Sequence, residues 1–302
     1  MSRPYILRKG VSRLEDLVNG YWGGVVYPTR GNLYFVDTVN GNSGNTGLEP
    51  EEALSTITRA LEKCVADRRD TIYVLRWDTD NGETWPLPMN KARVTLRGAP
   101  AGGPEASSQA YITSVGNYGA VTISANYCRL ERLYLACASA SYDAIGFSSV
   151  PGGTGIIGCN FGVCKDAIGG GVAAASTIGW TSQISDCYFT AQCAAHGIYV
   201  YNPAQIMIAR NVFKRTVGVA LQFAGPSGYG RILDNRFGLA SDTKGLAITM
   251  GATSYGCVFD GNRANYGNSA MSNNPYLDPG TTYKNDWLLN YMGVTATMPA
   301  TS

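Results

Sequence analysis

The stretch "RILDNRFG" at residues 231–238 repeats a phrase that has already occurred twice in the chain. The sequence reads "MIARNVFK" at 207–214, which is 24 residues earlier, and "QISDCYFT" at 183–190, a further 24 residues before that. Each copy has the form apolar-x-x-(Asn or Cys)-x-Phe. Repeats at such a period are typical of a solenoid, in which every unit buries its apolar side against its neighbours.

Further copies extend the pattern in both directions, as Ile156/Cys159/Phe161 and, more weakly, as Leu130/Leu133/Leu135 and Phe259/Asn262/Ala264. The central positions 133, 159, 187, 211, 235 and 262 lie 26, 28, 24, 24 and 27 residues apart. A second apolar run follows each phrase, such as "GIYVY" at 197–201. Several short β-rich strands per repeat, separated by Gly and Asn, predict an all-β parallel β-helix.

Equivalent residues of such a solenoid stack about 4.8 Å apart. We therefore predict a structural ladder at one bend, where each Asn bonds the neighbouring backbone and Cys replaces it as a small apolar residue. Its members are Cys159, Cys187, Asn211, Asn235 and Asn262. A second, aromatic column is predicted from Phe161, Phe189, Phe213 and Phe237.

Composition narrows the classes of function. The 302 residues are 45% hydrophobic and 15% charged, with 37 Gly and a net charge of +2, which indicates neither nucleic acid nor an anionic membrane as a partner. We find no transmembrane stretch, no nucleotide or cofactor motif and no C-x-x-C pair, and the chain has a single histidine. The sequence therefore predicts no cofactor and no metal, and the eight cysteines are expected to be buried, reduced thiols.

The chain divides into four predicted segments: an arm (1–31), a strand–helix cap with the first coils (32–98), the β-helix coils (99–273) and a closing segment (274–302). In the cap, Pro50 is predicted to open a short helix. One face of this helix would carry Leu54, Ile57, Leu61 and either Cys64 or Val65, and it would plug the end of the solenoid.

The predicted cap and first coils resemble part of a known class of proteins. The run "YFVD…NGNSG…ALSTITRALEKC…DTIYVL…VTLRG" within 32–98 resembles the N-terminal signature of right-handed parallel β-helix proteins of tailed bacteriophages, which include tailspikes, fibres and capsid-decorating proteins. One departure is "RWDTDNGETWPLP" at 76–88, where this type usually turns at a Pro-Gly or similar pair. The resemblance brings no catalytic motif, since these proteins share a scaffold and not an active site.

The resemblance implies a structural protein of the virion surface, assembled in the host cytoplasm. It also implies a homotrimer with other virion proteins, such as the major capsid protein, as partners. The arm has two interpretations. Its basic and aromatic residues would anchor it to another virion protein, or they would pack on the chain's own coil or on a neighbouring subunit. These residues are Arg3, Tyr5, Arg8, Lys9, Arg13 and Trp22.

The main alternative is a tailspike depolymerase that cleaves bacterial surface polysaccharide, which requires acid–base groups. Asp186, Arg210 and Asp234 are expected to form a column with the two acids about 9.6 Å apart. Either the acids flank a sugar, or the column is a surface salt-bridge ladder. The second interpretation is favoured because Arg210 would neutralise the acids that it separates.

Two other sets of residues leave alternatives open. Asp143 and Asp166 each precede "AIG" and would either bind a cation or cap turns, the latter being favoured. His196 would act as a general base or as a structural histidine, and no partner nearby in sequence supports the first role.

A third function is non-catalytic binding of a bacterial glycan on a strip of Trp180, Tyr188, Tyr199 and Tyr201. Of the three functions, the sequence favours the structural virion protein over the depolymerase. Roughly six to eight coils leave little room for a deep groove and a separate anchor, and no Glu follows Glu131.

Overall fold

A computed structural model describes residues 31–77, 82–99, 110–169, 178–190, 192–216, 218–239, 246–265, 275–279, 285–292 and 295–296. The predicted anchor residues of the arm lie outside these ranges. The described chain is a right-handed parallel β-helix with very little helix. The repeat predicted the parallel β-helix, and the resemblance of residues 32–98 implied its hand. None of its helices is long and apolar enough to cross a membrane.

Among the described residues, the helical segments are a single 3₁₀ turn at Pro50–Glu52 and the helix α1 at Ile57–Lys63. The strands in chain order are β1 (Leu33–Asp37), β2 (Thr71–Arg76), β3 (Leu87–Met89), β4 (Thr95–Gly98), β5 (Ala110–Thr113), β6 (Val121–Ile123), β7 (Arg129–Glu131), β8 (Leu133–Ala136), β9 (Ile145–Phe147), β10 (Gly155–Ile157), β11 (Asn160–Phe161), β12 (Cys164–Gly169), β13 (Gln183–Ser185), β14 (Tyr188–Phe189), β15 (Cys193–Val200), β16 (Met207–Ala209), β17 (Val212–Thr216), β18 (Val219–Phe223), β19 (Arg231–Leu233), β20 (Arg236–Leu239), β21 (Leu246–Thr249), β22 (Val258–Asp260), β23 (Arg263–Asn265), β24 (Tyr276–Leu277), β25 (Asp286–Trp287), β26 (Tyr291–Met292) and β27 (Thr295–Ala296).

Three parallel sheets form the walls of the solenoid. Sheet 1 has ten strands in the order β1-β2-β4-β7-β10-β13-β16-β19-β22-β25, and sheet 3 has eight in the order β24-β21-β18-β15-β12-β9-β6-β3. Sheet 2 has nine, β27-β26-β23-β20-β17-β14-β11-β8-β5, of which β27 pairs antiparallel to β26. Seven successive coils, from β4–β6 to β22–β24, give one strand to each sheet.

The core is a set of columns that run along the solenoid axis. In sheet 2 the rings of Phe161, Phe189, Phe213 and Phe237 are fully buried and stack face to face, with centroids 4.9, 4.3 and 4.8 Å apart. Sheet 1 supplies a parallel column of buried aliphatic residues in register, which are Leu130, Ile156, Ile184, Ile208 and Ile232. Since these interiors are closely packed, removing one ring would leave a cavity that costs about 3–5 kcal/mol.

An asparagine ladder runs along the corner between sheets 1 and 2. Each amide donates a hydrogen bond to a carbonyl oxygen of the preceding coil: Asn211 to Ile184 (3.0 Å), Asn235 to Ile208 (2.9 Å), Asn262 to Ile232 (2.8 Å) and Asn290 to Phe259 (3.0 Å). Each side-chain oxygen also accepts the backbone N–H of the ladder residue before it, as Asn235 accepts that of Asn211. Every buried amide is thereby satisfied, which is the condition for a stabilising polar network.

The cysteines continue the ladder towards the N-terminus. The Cys187 thiol lies 3.5 Å from the carbonyl oxygen of Ile156, and the Cys159 thiol lies 3.6 Å from that of Leu130, the equivalent contacts one and two coils earlier. All eight cysteines are buried and none is in a disulfide. Burial raises the pKa of Cys128 to about 12, so this thiol stays protonated at neutral pH.

The cap differs from the predicted helix at its N-terminal end. Pro50 opens one 3₁₀ turn, and α1 begins only at Ile57, after the N-cap Thr56. The chain stays extended in between because Leu54 pairs with Val36, donating to the carbonyl of Phe35 and accepting the N–H of Asp37. Leu54, Ile57, Leu61 and Cys64 are buried, as predicted for one face, whereas Val65 is exposed.

Charged side chains of the first coil hold both ends of α1. The Glu83 carboxylate accepts the N–H groups of Ile57 (2.5 Å) and Thr58 (2.8 Å) at the N-terminus. Lys91 donates at the C-terminus to the carbonyl oxygens of Leu61, Glu62 and Cys64, at 2.8, 2.8 and 2.7 Å. Both contacts satisfy groups that a helix leaves without partners, and both charges have the sign that the helix dipole favours.

Candidate acid–base site

The corner between sheets 2 and 3 brings three titratable residues into one column. Strand β12 pairs with β9 through Ile168 and Ile145, so Asp166 lies in the coil after Asp143. On its other side β12 pairs with β15, and Asp166 is in register with His196. Neighbouring coils therefore place Asp143, Asp166 and His196 side by side, at steps of about 4.8 Å.

Asp166 and His196 form a directly bonded pair. The carboxylate of Asp166 accepts the backbone N–H of His196 at 3.0 Å, and the same oxygen lies 2.8 Å from the His196 Nδ1. Only 4% of the Asp166 side chain is exposed, against 21% for His196. An ionised Asp166 selects the tautomer with the proton on Nδ1, which leaves Nε2 as a proton acceptor.

Lys165 and Asp143 complete the group. The Lys165 ammonium lies 3.4 Å from Asp166 Oδ2 and 3.7 Å from Asp143 Oδ1, and half of its side chain is exposed. Asp143 Oδ1 is itself buried and has no hydrogen-bond partner among the described residues. The ring of Tyr199 lies 5.0 Å from that of His196. We call Asp143, Lys165, Asp166, His196 and Tyr199 the acid–base cluster.

The two carboxyl groups of the cluster titrate differently. Burial, followed by the charge of Asp166, raises the pKa of Asp143 to about 6. Burial also acts to raise the pKa of Asp166, but the hydrogen bond from His196, with help from the charge of Lys165, outweighs it and holds that pKa below its usual value. Near neutral pH the cluster therefore contains a carboxyl group that exchanges its proton readily beside one that stays ionised.

This arrangement has the parts needed for proton transfer. His196 Nε2 is a base oriented by Asp166, as in other Asp–His pairs. Asp143 is an acid whose pKa lies close to neutral, where general acids work best. Lys165 supplies a partly exposed cation for a substrate anion. Asp166 lies buried between Asp143 and His196, and both of these keep access to solvent.

The structure places the predicted Asp186–Arg210–Asp234 column at a different corner, between sheets 1 and 2. All three residues have a left-handed backbone, with φ of 58°, 55° and 54°. Arg210 forms a two-pronged ion pair with Asp186, with both N–O distances at 2.8 Å, and both side chains are about half exposed. Asp234 makes no ion pair with any described residue. The arginine thus binds one acid and not both.

The structure does not bring the four predicted glycan-stacking residues together as one strip. Trp180 is exposed at the corner between sheets 3 and 1, where it contacts Tyr127 edge-to-face at 6.5 Å. Tyr188 lies on sheet 2, in β14, and Tyr199 on sheet 3, in β15, next to His196. Tyr201 follows β15 and packs beside Gly225. Only Tyr199 belongs to the acid–base cluster.

The cluster shows what the sequence interpretation missed. His196 has a partner, Asp166, but it is 30 residues away in sequence and comes from the neighbouring coil. Lys165 was not singled out, although it directly precedes Asp166 and is the only lysine between Lys91 and Lys214. Within the described ranges, no three His, Cys, Asp or Glu side chains are arranged to hold a metal ion.

The fold defines the class of the protein as a parallel β-helix. No protein-family model matches the chain, and no curated protein matches its sequence. Among solved structures it is similar to the GH136 lacto-N-biosidase from Eubacterium ramulus, with a TM-score of 0.52 and 11% identity over 78% of this chain. It is also similar to a rhamnogalacturonan lyase, with a TM-score of 0.46 and 11% identity over 89% of this chain.

The chain spans only part of each of these structures, 56% of the lacto-N-biosidase and 65% of the lyase. At 11% identity the likeness to the lacto-N-biosidase is a likeness of fold. The chemistry of this chain therefore has to be argued from its own residues.

Proposed function

We propose that this protein cleaves an acidic polysaccharide by proton transfer at the acid–base cluster. The observation that carries the proposal is the column of Asp143, Asp166 and His196, in which a histidine oriented by a buried carboxylate lies two coils from a carboxyl group of raised pKa. Two coils separate the Asp143 and His196 backbones by about 9.6 Å, a span that one sugar unit lying over the outer face of the cluster would bridge.

The reaction that suits these groups is β-elimination from a uronate sugar. The Lys165 ammonium pairs with the uronate carboxylate, which acidifies the carbon–hydrogen bond beside it. His196 Nε2 takes that proton, the neighbouring glycosidic carbon–oxygen bond breaks, and a carbon–carbon double bond forms. Asp143 gives its proton to the departing oxygen. One proton is gained by His196 and one is lost by Asp143, so the step balances.

The biological setting in this proposal is a bacteriophage particle, and it rests on the resemblance of residues 32–98 to phage β-helix proteins. The protein would then be a tailspike-type depolymerase of bacterial surface polysaccharide, trimeric and attached to the virion through residues 1–31. The depolymerase is thus placed above the structural virion protein, the reverse of the order that the sequence favoured. The reason is that the cluster supplies acid–base groups that the Asp186–Arg210–Asp234 column does not.

A second candidate is a purely structural virion protein, such as a capsid decoration bound to the major capsid protein. The ladder from Cys159 to Asn290 favours it, since a rod with every coil bonded to the next resists unfolding and proteolysis. Electron microscopy of intact particles separates the two. Many copies over the shell would support decoration, and a few copies at the tail tip would support the depolymerase.

The enzymatic proposal is tested by incubating the protein with polygalacturonate, hyaluronan and alginate, with neutral dextran as the control polymer. We expect loss of viscosity together with the ultraviolet absorbance of an unsaturated product for at least one acidic polymer. His196→Ala and Asp143→Asn should each reduce the rate about 100-fold or more. Asp186→Asn, at the other corner, should leave the rate unchanged. Equal rates in all four proteins would refute the assignment of the cluster, and cleavage without an unsaturated product would replace elimination by hydrolysis.

A further inference from the structure

A pocket lies where the last coils meet the closing segment. A pocket of about 340 Å³ opens at the corner between sheets 1 and 2, lined by Asp234, Arg236, Asp260, Arg263, Leu289 and Tyr291. This volume falls at the lower end of the range for small-molecule sites. The pocket lies several coils from the acid–base cluster and at another corner of the solenoid.

Two charged side chains of the pocket form no ion pair with a described residue. Asp186 and Asp234 occupy equivalent positions two coils apart, each directly after a strand of sheet 1 and each with a left-handed backbone. Arg210 binds Asp186, whereas Asp234 has no ion pair with a described residue. Arg236 is likewise without an ion pair in the part of the chain that the structure describes. Within the described residues, a carboxylate and a guanidinium group without ion pairs thus line the same pocket.

The next coil makes room for the Asp234 side chain. The equivalent residue there is Gly261, at φ +66°, and a Cβ at this glycine would lie 2.3 Å from Asp234 Oδ1. Any larger residue would displace the carboxylate. Gly261 therefore lets Asp234 lie across the next coil, away from Arg210 and against the pocket.

The remaining walls combine polar and apolar surface. Arg236 and Arg263 are in register on neighbouring strands of sheet 2, and the Arg263 guanidinium lies 5.1 Å from the centre of the Tyr291 ring. Asp260 accepts the N–H of Leu289 at 3.2 Å and so fixes the loop that carries this leucine, 61% of which is exposed. Acids at the ends of sheet 1 strands therefore line one side and arginines of sheet 2 the other, and the following coil adds Leu289 and Tyr291 as apolar surface.

We infer that this pocket binds a single sugar unit of a glycan. A sugar ring offers hydroxyl groups that donate to carboxylates and accept from guanidinium groups, and it offers a carbon–hydrogen face to Leu289 and Tyr291. The charges of the two acids and two arginines balance, which matches an uncharged, hydroxyl-rich ligand better than a strong anion or cation. The inference does not depend on cleavage at the acid–base cluster, because it requires binding only.

The test is ligand-observed saturation-transfer NMR on the full chain. The probes are D-glucose, D-galactose, L-rhamnose and N-acetyl-D-glucosamine, each at millimolar concentration, with glycine as a zwitterionic control. We expect transfer to at least one sugar and none to glycine. Asp234→Asn and Arg236→Met should each weaken that binding roughly tenfold, the size expected for one lost charged hydrogen bond.

Asp186→Asn is the matched control, since it alters the equivalent aspartate of the same corner outside the pocket, and it should bind as the parent does. His196→Ala should also bind normally, which separates this inference from the proposed enzymatic function. Melting temperatures of all variants confirm that each is folded, and both pocket residues are exposed, so their folding is expected to be retained. No transfer to any sugar, transfer to glycine alone, or unchanged sugar binding in Asp234→Asn and Arg236→Met would each overturn the inference.

Discussion

Aspartates lie at two corners of the solenoid, where one is exposed to solvent and the other is buried. At the corner between sheets 1 and 2, Asp186 lies on a left-handed turn, is 44% exposed and pairs with Arg210 in solvent. At the corner between sheets 2 and 3, Asp166 lies within strand β12, is 4% exposed and bonds His196. The exposed pair is screened by water and worth little, whereas the buried group depends on its partners and perturbs its neighbours. Burial, and not the stacking of acids as such, therefore makes a chemically useful site.

The largest expected effect comes from breaking the buried pair. Asp166→Ala removes the acceptor for the His196 backbone and ring and leaves Lys165 beside Asp143 alone. We expect the free energy of unfolding to fall by about 3 kcal/mol. Asp186→Asn, which keeps a residue type that tolerates the left-handed backbone, should lower it by less than about 1 kcal/mol, since its ion pair is exposed. Urea denaturation of both variants measures the difference, and similar losses would show that burial does not distinguish the corners.

The second prediction is a gain in the free energy of unfolding, where the first was a loss. The pKa of Asp143 is about 6 in the folded protein, against 3.8 without the fold, so between these pH values the folded state binds more protons than the unfolded state. The contribution of this group to stability is therefore fully present below about pH 4 and is lost as the pH rises through 6.

Asp143→Asn removes that loss. We expect it to stabilise the protein by about 1 kcal/mol at pH 8, after allowance for the partial exposure of the side chain, and to have no such benefit near pH 4. Melting temperatures at the two pH values provide the measurement. A gain that is the same at both would mean that ionisation of Asp143 is not its cause.

A smaller change should follow when the shared cation is removed. The charge of Lys165 lowers the pKa of Asp143, against the effects of burial and of Asp166. Lys165→Met should therefore move the pKa of Asp143 above about 6, by less than about 1. Carboxyl carbon NMR on labelled protein follows this titration directly. Lys214→Met is a control with the same chemistry on strand β17 of sheet 2, and it should leave the titration of Asp143 where it was.

The smallest effect is expected at the exposed pair. Arg210→Met should change the free energy of unfolding by less than about 0.5 kcal/mol, because the ion pair with Asp186 lies in water. Added salt should reduce even this difference, since screening weakens exposed charges first. Denaturation at low and high salt tests the point. A loss of several kcal/mol that salt does not alter would mean that Arg210 supports the fold.

The sequence predicted the buried columns in sheet 2 and at the corner between sheets 1 and 2 better than the acid–base cluster at the corner between sheets 2 and 3. The ladder and the phenylalanine stack could be found because the ladder residue and the Phe are always two positions apart, joined by a short bend. Asn290 carries the same signal in a weaker form, as Trp287-x-x-Asn290-x-Met292, and lies 28 residues after Asn262. It was missed because residues 274–302 were interpreted as a closing segment outside the repeat.

The acid–base cluster could not be read in this way, because the path from sheet 2 to sheet 3 varies in length. Asp166 follows Cys159 by seven residues, while His196 follows Cys187 by nine. One of the two extra residues is absorbed between Phe161 and Cys164, and a shift of register between Cys164 and Asp166 absorbs the other and brings the two side chains together. Such a shift depends on how the backbone packs at that corner, which spacing alone does not determine.

The ladder also bears on how such a chain changes length over evolutionary time. Each asparagine bonds only to the coil before it and the coil after it, and Asn211 and Asn235 make the same kinds of contact 24 residues apart. Deleting residues 211–234 would bring Asn235 to the carbonyl of Ile184, where Asn211 was. Gene duplications or losses of one whole coil therefore leave every junction chemically unchanged, whereas a gain or loss of half a coil would leave buried amides without partners. We therefore expect relatives of this chain to differ in length by whole coils.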